Sequence, residues 1–437
     1  MQFVDRFMVS RLGTDALAAI MPAGFVIFIP GAFAMGAISS LNTFVSQCLG
    51  RGNTKECSNY FWQTTYMGCA YFLVVLAVMW PIAPAIFKLM DQPPEVIGME
   101  VIYMRIMLYA HLVVAIYWSS NQFYMGIHKP IVTMYSSICA HVVNIIINYL
   151  LIFGKFGFPA MGIAGAAWGT CLGMTVGSFI NISVLLGPRM NSTFLTRKTF
   201  RLNLSKMYDL IRIGFPAGLG LMVNVAFWGV ILFGLVGRFG TEALAATSAV
   251  LAYTNLSVMP IVGISTALTA SVGKMIGQGR KDLAIKQTNH CLNVGLIFMG
   301  VLGICFFVFR NPMMRFWSED EKVIQAGAHI LMLAAVYQTF HAARVIYGGS
   351  LRGAGDTVWL AIVSGLGSVV ILGIGGVLVV KFAPSAGPVG PWAAATLSII
   401  AVGIANRRRF KSGKWMEIDL FKRHAVNVPI QDSSELE

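Results

Sequence analysis

Eleven long apolar runs separated by short polar connections dominate the chain, at residues 17–48, 59–87, 97–124, 130–153, 160–186, 208–236, 243–273, 287–309, 325–349, 358–382 and 388–406. At about 1.5 Å of rise per residue, each is roughly long enough to cross a bilayer's hydrocarbon core as a helix. In lipid the backbone must satisfy its own N–H and C=O groups, and a helix does so within a single segment. A shorter fragment of one more span lies before Gly13. The pattern predicts an all-α integral membrane protein.

A repeat then organises the spans. Arg11-Leu-Gly-Thr-Asp-Ala-Leu-Ala-Ala19 returns 227 residues later as Arg238-Phe-Gly-Thr-Glu-Ala-Leu-Ala-Ala246, with seven of nine positions identical. The same offset carries Gly36 onto Gly263, Gly50 and Gly52 onto Gly277 and Gly279, and Gly126 onto Gly353. Parallel repeats in a polytopic protein point to two bundles that rock against each other around a central site. The expected plan is twelve helices in two six-helix lobes from a duplicated half, with the first helix truncated. The N-terminal lobe takes residues 1–187, a polar cytoplasmic linker 188–206, the C-terminal lobe 207–409 and a cytoplasmic tail 410–437, whose end from Gln431 reads as disordered. By the repeat, Asp5 aligns with Leu232, well inside the span that begins near Tyr208. A complete first helix is therefore expected to start before Met1; the other reading is a short polar start that leaves one bundle a helix short. No cleavable signal peptide is evident at the start.

Composition fits a membrane protein, with 57% hydrophobic and 11% charged residues. The net charge of +14 invites a nucleic-acid reading, but the distribution of the charges argues otherwise. With the fragment as first span and the chain starting in the cytoplasm, twenty Lys and Arg fall on the cytoplasmic side and eight on the other. That bias puts both termini in the cytoplasm. The basic tail cluster serves as an orientation signal, or touches anionic headgroups as well. The seven cysteines lack metal-like spacing and are expected to be small core residues. No P-loop, HExxH or GxSxG pattern occurs, so neither an ATP-driven pump nor a membrane hydrolase has support. Gly165, Gly169, Gly173 and Gly177 form a smooth ridge for close helix approach.

Several motifs span both halves: Val4-Asp5 followed by Val9-Ser-Arg-Leu-Gly-Thr14, Gly50-Arg-Gly52, Gly162-Ile-Ala-Gly-Ala-Ala-Trp-Gly-Thr170, Gly214-Phe-Pro216 and Leu351-Arg-Gly-Ala-Gly-Asp-Thr357. Their order and spacing resemble the multidrug and toxic compound extrusion (MATE) family of secondary antiporters over roughly residues 1–410. The resemblance implies export of amphipathic, mostly cationic organic compounds in exchange for protons or sodium ions. It implies no enzyme activity and no bound cofactor, only a transported ion. The expected protein is a multi-pass monomer of the cell inner membrane, with the bilayer and small organic substrates as partners and no nucleic acid. A lipid or lipid-linked oligosaccharide flippase of the same broader superfamily is the alternative.

Buried polar residues supply the candidate sites. A carboxylate at bilayer depth can alternate between protonated and ionised or ion-bound forms. In the resemblance, Asp5 takes the place of the acid that couples ion movement to lobe rearrangement; without it, Asp5 is a solvated residue near a frayed end. Asn144 and Asn148 share one helix face at i, i+4, and Thr170 on the next span can add a hydroxyl. They match the family's first-lobe ion site, except that some relatives carry Asp where this chain has Asn148. A lone acid favours a proton over sodium. The two amides also suit interhelical hydrogen bonding alone.

The second half departs further from the family. Asn224 and His341 stand where some members carry Glu and Asp. His341 and Arg344 are three residues apart on one face, so they line a cavity and either pair with an acid or favour anionic substrate groups; otherwise Arg344 snorkels to the surface near Arg352. Trp118, Phe123, Phe227, Trp228, Tyr253 and Tyr337 are candidate stacking surfaces for flat cations, against the commoner role of packing. Asp356 is expected to cap the helix that follows it.

Overall fold

The structure, a computed structural model, describes residues 2–90 and 94–422. In chain order the helices are α1 (Gln2–Val9), α2 (Thr14–Ile38), α3 (Ser40–Gly50), α4 (Thr54–Leu89), α5 (Pro94–Gly126), α6 (Pro130–Phe153), α7 (Ile163–Leu185), α8 (Pro188–Phe194), α9 (Leu204–Ala226), α10 (Leu232–Val236), α11 (Thr241–Gly277), α12 (Lys281–Val308), α13 (Arg310–Arg315), α14 (Glu321–Ala354), α15 (Thr357–Leu366), α16 (Gly376–Phe382) and α17 (Val389–Lys411). A π-helical turn at Phe227–Ile231 joins α9 to α10, and another at Gly367–Gly375 joins α15 to α16. Eleven of the described segments are long and apolar enough to cross a membrane, and they match the eleven apolar runs. The protein is a multi-pass, all-α membrane protein, with α1 as the fragment that precedes the first long span.

The duplication is visible at the level of atoms. Gly13 (φ 122°) and its mate Gly240 (φ 96°) both follow a 3-10 turn and open a long helix. L-residues rarely adopt these angles, which explains why the glycine survives in both copies of the opening motif. Inside the lobes, a Cβ on Gly126 would meet Val45 and the Asn42 carbonyl; one on Gly353 would meet Val272 and the Thr269 carbonyl, the same positions one repeat later.

The lobes touch where the mates Gly50 and Gly277 face each other. A Cβ on Gly50 would fall on the Lys274 carbonyl and 3.0 Å from Gly277 Cα. One on Gly277 would fall on the Gln47 carbonyl and 3.0 Å from Gly50 Cα. Across the same seam, Gln47 Nε2 donates to the Gly353 carbonyl (2.9 Å) and Thr43 Oγ1 to the Arg352 carbonyl (2.9 Å). Further along, Gly36 packs on Ala217 and Gly218, joining α2 to α9. The lobes are therefore closed at the end that carries the basic connections.

Two polar segments are more ordered than their composition suggests. The linker forms α8 and is then tied to α4: Trp62 Nε1 donates to the Thr196 carbonyl (2.9 Å) and Gln63 Nε2 to the Arg201 carbonyl (3.0 Å). After α17 the chain folds back under both lobes. Trp415 stacks on Phe410, Leu420 fills the space at Gly355, Asp419 pairs with Arg51 (3.1 Å), and Phe421 packs edge-on to Phe44. The stretch predicted to be disordered from Gln431 lies outside the described residues.

Two expectations need correction. Cys139 is exposed on α6, not a core residue, while Cys48, Cys57 and Cys171 are buried. Asp356 precedes α15 but makes no capping hydrogen bond; its carboxylate instead accepts from Arg409 Nε (2.7 Å) and Nη2 (3.4 Å). A fork of charge-assisted bonds to a guanidinium outcompetes a backbone N–H.

Candidate functional site

Three helices bring the first-lobe residues together. The four-residue spacing on α6 sets Asn144 and Asn148 on one face, α7 adds Thr170, and α1 brings Asp5 against them. Asp5 is only 2% exposed. Its Oδ1 accepts from Asn148 Nδ2 (2.5 Å) and Asn144 Nδ2 (3.2 Å), and its Oδ2 from Thr170 Oγ1 (2.9 Å). Asn144 Nδ2 also reaches Thr170 Oγ1 at 3.2 Å. All three donors are neutral, and none of the three ion pairs among the described residues includes Asp5. The carboxylate's lone pairs are served by neutral groups, and no Lys, Arg or His side chain among the described residues pairs with it.

The amides leave something over. Asn144 Oδ1 and Asn148 Oδ1 are both buried without a hydrogen-bond partner. A buried carbonyl left unpaired costs about 1–3 kcal/mol, so two beside one acid are unusual. An amide can turn over, presenting oxygen where it now presents nitrogen. The same two side chains can thus donate to an ionised Asp5 or accept from a proton or cation.

The glycine ridge of α7 makes the site possible. A Cβ on Gly165 would collide with the α6 backbone at Leu151 and Ile152, one on Gly177 with Tyr117, and one on Gly169 with Asn148 Oδ1 itself. Gly169→Ala is expected to push Asn148 out of the site, lowering stability by about 1–3 kcal/mol and weakening ion-coupled transport. A thermal-unfolding series with a transport assay checks this. Wild-type values in both would show that the site does not need the gap.

The second lobe offers no equivalent. Leu232, the mate of Asp5, is fully buried in an apolar cluster with Leu372 and Trp392. The π-helical turn Gly367–Gly375 covers the mates of 140–148, the stretch that carries both amides in the first lobe. Asn224 Nδ2 donates to Ser368 Oγ (3.2 Å), linking α9 to that turn.

The predicted cavity residues do not converge. Phe123 is fully buried among Phe61, Tyr124 and Phe194. Tyr253 donates to the Met313 carbonyl (2.9 Å), and Trp228 packs on Trp392. Tyr337 is buried beside His341, with ring centroids 6.0 Å apart. His341 Nδ1 has no partner, and Arg344 forms no ion pair among the described residues. The α14 face that carries them packs on α17, where Asn406 Nδ2 donates to the Arg344 carbonyl (3.3 Å).

A cavity of about 250 Å³ lies instead between α2, α4 and α9, lined by Phe33, Thr64, Met67, Tyr71, Leu210 and Phe215. Phe33 contacts both Tyr71 and Phe215, and Trp118 packs behind the cavity with Ala34, Ile38 and Phe72. In sequence these aromatics look like any others in an apolar run. Glu100 was more legible, as a carboxylate within a span; it is fully buried, and neither oxygen has a hydrogen-bond partner.

Comparison with known proteins agrees with this architecture. The sequence model described as MatE matches residues 1–150 and 216–376. A probable multidrug resistance protein NorM of Chromobacterium violaceum is 28% identical over 92% of this chain and 87% of its own length. Among solved structures, an outward-facing multidrug resistance MATE family transporter of the MOP superfamily superimposes with a TM-score of 0.85 at 18% identity, over 94% of this chain and 91% of its own. A MOP superfamily transporter from Pyrococcus furiosus, described as having a binding pocket of reverse polarity that suggests a different function, also gives 0.85, at 17% identity over 96% and 92%. At these identities the structures bear on the fold alone.

Proposed function

The chain belongs to the MatE family of multidrug and toxic compound extrusion transporters, and from that premise we propose that it is a proton-coupled antiporter exporting amphipathic, mostly cationic organic compounds. It is a transporter and not an enzyme. The observation that carries the coupling is the cage of three neutral donors around the buried Asp5. The Lys and Arg bias supports a bacterial inner-membrane protein with both termini in the cytoplasm.

With the lobes closed at the cytoplasmic end, a proton arrives from the outer side. Protonated Asp5 becomes a donor and accepts fewer hydrogen bonds, so the amides of α6 and the hydroxyl of α7 lose partners or turn over. The arrangement of α1 against α6 and α7 then differs between the two forms. A substrate that binds one lobe arrangement better than the other is released as the balance moves. The aromatic cavity at Phe33, Tyr71 and Phe215 suits flat, apolar cations.

Sodium is the second reading, favoured by the unpartnered oxygens of Asn144 and Asn148. With Asp5 and Thr170 they make an all-oxygen set of the kind hard cations take. Expression in an efflux-deficient host is expected to raise ethidium resistance. Collapsing the proton gradient should abolish the gain; abolition by sodium depletion instead would establish the second reading, and no gain at all would favour a flippase.

The unpartnered His341 Nδ1 beside Arg344, a cation without an ion pair among the described residues, favours a wider substrate range that includes compounds with an anionic group. Arg344→Gln is then expected to lower export of anionic dyes several-fold and leave ethidium export intact. Unchanged export of both dye classes would remove Arg344 from substrate binding.

A further inference from the structure

We infer that the cytoplasmic end of α17 holds an anionic phospholipid, with its phosphate between Arg408 and Lys414 and an acyl chain along the helix above them. The cavity there has a volume of about 530 Å³ and is lined chiefly by Trp359, Ile404, Ala405, Arg408, Ser412 and Lys414. The inference concerns the protein's lipid boundary and does not depend on the transported substrate or ion.

The helix period builds the surface. Ala401, Ala405, Arg408 and Ser412 recur every three or four residues, so one strip runs from apolar to basic over about 16 Å. The apolar part faces outward: Ile404 is 41% exposed, and Val358 and Ile362 on the neighbouring α15 are 50% and 53% exposed. Exposed side chains of this kind are the lipid-facing ones. The strip ends where the chain leaves the membrane, so hydrocarbon meets charge at headgroup level.

Charge bookkeeping separates this site from a mere basic cluster. Arg409 is committed, forking onto Asp356 with its guanidinium 5.0 Å above the Trp359 ring. Arg408 and Lys414 form no ion pair among the described residues and flank the opening. Trp359 lines the same cavity, and nothing accepts from its Nε1, a buried donor without a partner. Two free cations face one acceptor-rich anion, with the unused indole N–H of Trp359 and a hydrocarbon wall beside it, while the Ser412 hydroxyl is committed to the Arg409 carbonyl (2.8 Å). That combination fits a phospholipid phosphate and its glycerol ester oxygens. The site also sits where α17 passes into the tail that folds under both lobes.

Native mass spectrometry and thermal unfolding of the purified full-length protein test this, with phosphatidylglycerol, phosphatidylcholine and inorganic phosphate added in turn. Phosphatidylglycerol is expected to be retained and to raise the Tm, while phosphatidylcholine and free phosphate are not. Arg408→Gln with Lys414→Gln is expected to lower the preference for phosphatidylglycerol by about tenfold or more. Trp359→Phe should lower it less. The charge-matched pair Arg280→Gln with Lys286→Gln should leave it in place. Equal retention of both lipids, stabilisation by free phosphate alone, or an equal loss in the control pair would each overturn the assignment.

Discussion

Asp5→Asn is expected to abolish ion-coupled export while leaving the protein folded and able to bind substrate. Asn has nearly the same shape and keeps one acceptor oxygen for Asn144 and Asn148, so the cage around the position survives. What it loses is the capacity to bind and release a proton. One pH unit across the membrane is worth about 1.4 kcal/mol per proton, or a roughly tenfold concentration ratio for a monovalent cation exchanged one for one. In proteoliposomes with an imposed pH difference, the wild type should concentrate ethidium by a factor of that order and the variant should only equilibrate it. Undiminished concentration by the variant would remove Asp5 from the coupling step. Attention would then turn to Glu100, the other first-lobe carboxylate buried among the described residues.

The second large effect is expected at the seam between the lobes. Gly277→Val places a side chain on the Gln47 carbonyl and against Gly50 Cα, and Gly50→Val does the same to the Lys274 carbonyl. Backbone cannot rotate away as a side chain can, so the lobes must part. Overpacking of this kind costs about 1–3 kcal/mol, enough to shift a two-state equilibrium by about five- to 150-fold. The penalty falls only on the state closed at the end that carries the basic connections. The variants should still bind substrate yet turn over at least about fivefold more slowly. Spin-label distances across the seam should lengthen. Gly263→Ala is the control, because a Cβ there meets nothing within 4 Å. Wild-type turnover and distances in Gly277→Val would mean that the seam is not where the transporter closes.

Much of the architecture was legible because membrane helices obey a local rule. A span must be apolar over some twenty residues and satisfies its backbone within itself. The eleven runs therefore matched the eleven long helices, and the repeated Arg-Leu-Gly-Thr and Arg-Phe-Gly-Thr segments marked equivalent left-handed turns at Gly13 and Gly240. The first-lobe polar set was legible for a related reason. Asp5, Asn144, Asn148 and Thr170 are expensive in lipid unless they meet, and in the fold they meet.

The aromatic residues were not legible, since Phe and Trp cost nothing in a span whether they pack, anchor or line a cavity. Phe123 is a packing residue and Phe33 faces a cavity, yet both stand in apolar runs of the same kind. Asp356 failed for a similar reason. Its place before a helix suggested a cap, but a guanidinium more than fifty residues away captured it.

The sequence by itself determined the number of spans, their duplication, the side that carries positive charge and which polar residues have to find one another. These follow from the hydrophobic effect and from the cost of an unpaired group, which act on short segments. Tertiary structure alone decided that Gly169 makes room for Asn148, that Gly50 and Gly277 form the seam, that the mate of Asp5 lies in hydrocarbon around Leu232, and that Arg408 and Lys414, beside Trp359, have no ion-pair partner among the described residues. Each of those depends on which atoms arrive from a distant helix, and no local pattern of residues encodes that arrival.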